Sequence, residues 1–129
     1  MVNLYINERR EGDVAVLDLK GRIRINGGTL ALHRSIRCLV EEGKIKILLN
    51  LAGVTHIDST GLGELISSHL TLSNKGGQFK LLHLTERLED IMNATRLLPV
   101  FDVYDNEPDA LASFTVNVLG VVESQSAFM

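Results

Sequence analysis

The chain has 129 residues, 45% of them hydrophobic and 22% charged, which fits one globular domain long enough to bury a core. Aromatic residues make up only 5% and Trp is absent, so that core is expected to be built from Leu, Val and Ile. A net charge of −3 and an isoelectric point near 5.8 give no basic footprint for nucleic acid, and no apolar run reaches the roughly 18 residues of a membrane span.

In chain order, Met1-Val2-Asn3-Leu4-Tyr5 lacks a basic region followed by an apolar stretch, so no signal peptide is expected. Residues 2–8 and 13–20 read as strands joined by a turn at Glu11-Gly12-Asp13. In the second, Ala15, Leu17 and Leu19 face one way and Val14 and Val16 the other, which predicts cover on both faces. Gly21 is expected to end it, and Asn26-Gly27-Gly28 marks a loop. Leu32, Ile36, Leu39 and Val40 recur at helical spacing opposite Arg34, Arg37 and Glu41, and Gly43 closes that helix. Cys38 falls within it, packed or exposed; as the lone cysteine it cannot form an intrachain disulfide, and a cytoplasmic location is the expectation.

Ile45 to Leu51 is apolar enough for a central strand. Then comes Ile57-Asp58-Ser59-Thr60-Gly61-Leu62-Gly63, where the hydrophobic period changes from 2 to 3.6. Leu62, Leu65, Ile66 and His69 line one face of the helix that follows, which Asn74-Lys75-Gly76-Gly77 stops. Phe79 to Leu84 is a strand, Thr85 caps a short helix carrying Leu88, Ile91 and Met92, and Val100 to Tyr104 is the last strand. Asp105-Asn106-Glu107-Pro108 opens a final helix through Leu111 and Phe114. The segment 115–129 fits three readings: a longer last helix, an edge strand, or cover for a neighbour. The order β-β-α-β-α-β-α-β-α predicts an α/β fold, a mixed and mostly parallel sheet with helices packed on one face. Sites in such sheets favour the carboxyl ends of strands, which is where Ser59 falls.

Ser59 and Thr60 therefore stand at a helix start, where backbone N–H groups lack intrahelical partners and the helix dipole is positive. A phosphoryl group on either hydroxyl would be partly stabilised there. Asp, Ser and Thr are also the usual cap residues, so the local pattern alone favours a plain cap, and it is the place of the segment in the whole chain that points beyond it. A hydrolase with Ser59 as nucleophile and His56 or His83 as base is disfavoured: Gly-x-Ser-x-Gly is missing and His56 sits on the same turn. Gly61-Leu62-Gly63 lacks the Lys-Ser/Thr of a phosphate-binding loop. His33, His56, His69 and His83 have no zinc-ligand spacing, and no metal or cofactor is expected. Arg22 and Arg24 read either as a solvated loop or as a phosphate clamp.

The run Leu49-Asn50-Leu51-Ala52-Gly53-Val54 leading into Ile57-Asp58-Ser59-Thr60-Gly61-Leu62-Gly63 resembles the STAS domain, in its stand-alone form as a bacterial anti-sigma factor antagonist. Gly76-Gly77, the Leu81-Leu82 strand and Leu88 to Phe101 continue the likeness, which covers residues 8–114 of a single domain spanning 1–129, with 115–129 as a C-terminal extension. The resemblance implies a binding protein rather than an enzyme. Its partner would be an anti-sigma factor that is also a serine kinase. That kinase would use ATP to phosphorylate Ser59, with Thr60 as a minor acceptor, and a serine phosphatase would reset the switch. Asp58, Thr60, Gly61, Leu62, Arg22 and Arg24 are the expected partner-binding residues. One departure stands out: Arg24, in Gly21-Arg22-Ile23-Arg24-Ile25, occupies the place where members of the family often carry an acid. If its loop lies beside Ser59, an arginine there would tolerate or grip a phosphate. The resemblance also admits another class of function, a non-phosphorylated STAS subunit of a lipid transport complex that contacts the transporter ATPase.

Overall fold

Two antiparallel strands open the fold, β1 (Leu4–Glu11) and β2 (Val14–Ile23), joined at Gly12, whose φ of 64° suits a residue without Cβ. The computed structural model describes residues 4–114, so the three readings of segment 115–129 lie outside the described residues. After the hairpin come α1 (Gly28–Glu41), β3 (Lys46–Ile57), α2 (Ser59–Asn74), β4 (Gln78–Leu82), α3 (Glu86–Ala94), a 3-10 turn (Leu98–Val100) and β5 (Asp102–Tyr104). A last helix, α4, is described over residues 107–114 and is capped by Asn106, whose Oδ1 accepts from Asp109 N at 3.0 Å.

The sheet order is β1-β2-β3-β4-β5, with β2 to β5 parallel. Each parallel crossover steps the same way along the sheet. Right-handed crossovers that step one way must put their helices on one face. That face carries Leu17, Leu19, Ile47, Leu49, Leu51, Phe79 and Leu81, packed against Leu32, Ile36 and Leu39 of α1, Leu65 and Leu72 of α2, and Leu88 and Met92 of α3. Each such side chain contributes about 1.5–3 kcal/mol when fully buried. The mixed, mostly parallel sheet is the fold class that the element order predicts; the expected helical layer on one face holds for α1, α2 and α3, while α4 lies on the other face.

The alternation in β2 is also as read. Val14 and Val16 face the second side of the sheet, where they join Leu48 and Leu82 under Ala110 and Phe114 of α4. Arg9 pins α4 at its start: its Nη2 donates to Glu107 Oε1 at 2.7 Å and its Nε to Asp18 Oδ2 at 2.6 Å. These bonds raise the Arg9 guanidinium further above its already high value and lower both carboxylates. Lys80, only 4% exposed, lies under the same helix. Its Nζ donates to Ser113 Oγ at 2.8 Å and sits 4.9 Å from the Phe114 ring centroid.

Several strand ends differ from expectation: β1 runs on to Glu11 instead of ending at residue 8, β4 stops at Leu82 instead of Leu84, and β5 starts at Asp102 because Leu98–Val100 forms the 3-10 turn. Two further differences bear on the site. β2 does not stop at Gly21 but continues to Ile23, because Gly21 (φ 121°) forms a register shift against β3 instead of a terminus. β3 does not stop at Leu51 but runs to Ile57. Gly53 makes this possible, since a Cβ there would lie 2.7 Å from the Leu19 carbonyl oxygen. Both extensions carry the chain towards Ser59.

The glycines separate cleanly by what surrounds them. A Cβ on Gly77 would lie 2.2 Å from the Ile45 carbonyl oxygen, whereas one on Gly63, inside α2, would meet nothing within 4 Å. Gly77→Ala is expected to cost more than about 2 kcal/mol. Gly63→Ala should stabilise the protein by about 0.5–1 kcal/mol through helix propensity. Denaturant unfolding of the two variants measures both, and equal effects would contradict this reading of the turn.

Candidate functional site

Ile57 ends β3 with its side chain in the core, Asp58 takes extended backbone, and Ser59 is the first residue of α2. Asp58 caps the helix: its Oδ1 accepts from Gly61 N at 3.0 Å and from Thr60 Oγ1 at 2.5 Å. Its other oxygen, Oδ2, accepts from Ile25 N at 2.9 Å, in the loop that links β2 to α1. The Asp58 N–H in turn donates to the Ile23 carbonyl at 3.2 Å. Thr29 Oγ1 lies 2.8 Å from Thr60 Oγ1. Because the Thr60 proton goes to the carboxylate, which can only accept, the Thr29 hydroxyl is the donor in that pair. Gly61 is required by close approach: a Cβ would sit 2.6 Å from the Ile23 carbonyl oxygen. The β2–α1 loop and the start of α2 are thus one bonded unit, with Asn26 turning the loop at φ 72°.

This bonding sets the charges. The hydrogen bond from Thr60, helped by the N–H groups of Ile25 and Gly61, lowers the Asp58 carboxyl from its ordinary 3.8 to about 2. His56, two residues earlier, accepts from Arg87 Nη1 through Nε2 at 3.3 Å. Partial burial lowers its pKa, and the positive charges of Arg87, Arg22 and Arg24 lower it further. Arg22 is the cross-strand partner of His56 in the β2–β3 register. Three arginines from three segments therefore share one end of the sheet with Ser59.

Among the expected site residues, Ser59 is exposed, and so are Arg22 and Arg24. Thr60 is partly buried with its hydroxyl engaged on both sides. Gly61 is buried, and Leu62, at 8% exposed, is packed in the core; both shape the turn and offer little surface. Arg87 and Thr29 also belong to the site. Arg87 follows β4, and carboxyl ends of parallel strands share one end of a sheet, so topology rather than a local motif points to it. His56 has its Nε2 taken up by Arg87 and a lowered pKa, which makes it a poor base for Ser59. His83 is placed towards Glu107, on the α4 side. Among the described residues no group of three His, Cys, Asp or Glu side chains could hold a metal, and no helix is long and apolar enough to cross a membrane.

A second feature flanks α2. An open groove of about 450 Å³ runs between α1 and α2, lined by His33, Ile36, Arg37, Glu64, Ser68 and Lys75. Glu64, with its side chain 11% exposed, is 3.0 Å from His33 Nδ1 and accepts from Ser68 Oγ at 3.0 Å. That pairing spaces the two helices below Ser59.

Asp58→Ala is expected to cost about 1–2 kcal/mol, the usual loss for a helix cap with one added tether, and Asp58→Asn about half as much. Because the folded-state pKa lies below the unfolded one, this contribution is present in full above pH 3.8 and fades as pH falls through about 2. The stability gap between wild type and Asp58→Ala, measured by urea unfolding, should therefore narrow in that window. A gap independent of pH would show that the carboxylate charge is not what holds the turn.

A family model described as the STAS domain matches residues 5–110. A Thermotoga neapolitana protein named as a homologue of an anti-sigma factor antagonist is 31% identical over 99 residues, covering 77% of this chain and 88% of its own length. The anti-sigma-B factor antagonist of Bacillus subtilis is 29% identical over 96 residues, covering 74% of this chain and 85% of its own. Among solved structures, the Bacillus cell fate determinant SpoIIAA in the phosphorylated form shares the fold, with a TM-score of 0.67 at 17% identity over 84% of this chain and 98% of that one. With the family model spanning most of the sequence, and Asp-Ser-Thr-Gly forming a bonded turn from which Ser59 is exposed, the chain belongs to the STAS domain family.

Proposed function

We propose that this STAS domain is an anti-sigma factor antagonist of the cytoplasm, switched by phosphorylation of Ser59. The observation that carries the reading is the contrast between neighbouring hydroxyls: Ser59 is exposed on the first turn of α2, whereas the Thr60 proton is committed to Asp58. Relatives named as anti-sigma factor antagonists support it. The partner is an anti-sigma factor that carries serine kinase activity. In the unphosphorylated state the end of the sheet around Asp58, Ser59, Arg22 and Arg24 binds that factor and frees its sigma factor.

The switching step is a phosphoryl transfer. The Ser59 oxygen bonds to the γ-phosphorus of ATP, the bond from that phosphorus to the bridging oxygen breaks, ADP leaves, and the hydroxyl proton passes to solvent through the kinase. The product carries about −1.5 to −2 charge at neutral pH. In a docked interface such a charge is costly to desolvate, and a few kcal/mol changes affinity by orders of magnitude. A serine phosphatase hydrolyses the ester with water, which returns serine and inorganic phosphate.

Two measurements test the reading. After incubation with the cognate kinase and ATP, phosphopeptide mapping should find Ser59 as the main acceptor and Thr60 as a minor one. Ser59→Ala should bind the anti-sigma factor whether or not ATP is present. Ser59→Asp should bind more weakly, by a partial amount, because a carboxylate has less charge than a phosphate and a different shape. Equal binding by wild type, Ser59→Ala and Ser59→Asp would sink the mechanism. A pull-down that captures a transporter ATPase in place of a serine kinase would select the transport-subunit reading.

A further inference from the structure

Of the 13 lysines and arginines, six lie in ion pairs among the described residues. Arg9, Arg10, Arg37, Lys44, Lys46 and Lys80 each sit against a carboxylate. Arg22, Arg24 and Arg87 form no ion pair among the described residues. All three are exposed, and all three act on His56, so they share one local field. Asp58, bonded to the loop that carries Arg24, has both oxygens occupied by the turn. Arg24 adjoins Ile25, whose N–H is bonded to Asp58, the residue before Ser59. A chain with a net charge of −3 thus presents a positive corner at its candidate switch. Ile25 (59% exposed) and Leu30 (50% exposed) add apolar area beside it. Such a surface fits a partner face that is acidic around an apolar centre.

We propose that Arg22, Arg24 and Arg87 form a docking surface for an acidic partner face, and that a phosphate on Ser59 shuts this surface from within by drawing the same guanidinium groups onto itself. The proposal rests on the reading of Ser59 as the phosphorylated residue and specifies how the modification acts. Release follows from competition. The phosphate offers three acceptor oxygens held on the same chain, and planar guanidinium forks suit them well. Its effective concentration at the arginines far exceeds that of a partner carboxylate in solution. The positive end of the α2 dipole favours the same phosphate position, while the Asp58 carboxylate opposes it. In this arrangement the phosphorylated form is a closed state with its own internal bonds, and it is correspondingly long-lived.

The test needs no kinase, because phosphoserine can be placed at position 59 during translation. The phosphorus NMR signal of the full chain is titrated with pH and compared with a phosphoserine peptide of residues 55–63. The second phosphate pKa should be lower in the protein than in the peptide. It should rise by about half a unit or more in Arg24→Ala/Arg87→Ala, with Arg24→Lys/Arg87→Lys between, since lysine keeps charge but loses the fork. In parallel, the unphosphorylated chain is titrated with a ten-residue poly-glutamate while amide shifts are followed. Shifts should centre on Ile25, Ser59 and Arg87, and affinity should fall about fivefold in the double alanine variant, the size expected of two exposed ion pairs. Phosphoserine at 59 should weaken poly-glutamate binding at least as much. A phosphate pKa unmoved by removing both arginines, or poly-glutamate shifts unaffected by phosphoserine, would overturn the proposal. Failure of a kinase to modify Ser59 would count against the proposed function and leave both readouts intact. Because both arginines are exposed, an unchanged amide spectrum elsewhere verifies that the variants fold.

Discussion

The two oxygens of Asp58 serve two different chain segments, and the geometry of the site follows from that division. One oxygen finishes the first turn of α2, the other fastens the loop between β2 and α1. A carboxylate with three donors on it is held ionised far into acid. Its charge is therefore a fixed part of the corner, and so is the placement of everything attached to it. Ser59 is pushed outward because Asp58 points inward, and Thr60 is kept from solvent chemistry because its proton completes the cap. The same sequence string is thus both a plain helix cap and a switch candidate. Capping uses Asp58, Thr60 and Gly61, and it leaves Ser59 unused.

Much of this was legible beforehand because it is local. The change of period at Ile57 locates the strand-to-helix junction, and Asp58 is an ordinary cap residue. Alternation in β2 separates Leu17 and Leu19 from Val14 and Val16, and the structure assigns them to the two sides of the sheet. The missing parts are those that depend on distant residues. Gly21 and Gly53 look like strand breakers in isolation, yet they let the backbones of β2 and β3 continue side by side with a shifted register. Arg87 lies 28 positions after Ser59 in sequence (87 − 59), and only the shared strand ends bring it to His56. Leu62 is expected from the sequence both on the apolar face of α2 and among the partner-binding residues, and its burial fits the first role.

Lys80 is the least readable residue of all. Within Gln78-Phe79-Lys80-Leu81-Leu82 it looks like the polar face of a half-buried strand. Instead α4 covers it, and the charge is accommodated by Ser113 Oγ and two aromatic rings. Charged groups are almost never this buried without partners. Lys80 and the Arg9–Glu107 pair therefore fix where α4 can lie, while the apolar contacts of Ala110 and Phe114 give it a reason to stay.

This arrangement bears on where the chain can be shortened. If it ended before residue 107, Val14, Val16, Leu48 and Leu82 would form a wet, water-facing apolar strip across three adjacent strands. Strips of that kind attract copies of themselves. Lys80 would recover its hydration, so the loss would be one of solubility more than of sheet integrity. Tags, fusions and truncations at the carboxyl end can be judged by this: the minimal self-sufficient unit extends at least through Phe114, past the point where the sheet itself is finished at Tyr104.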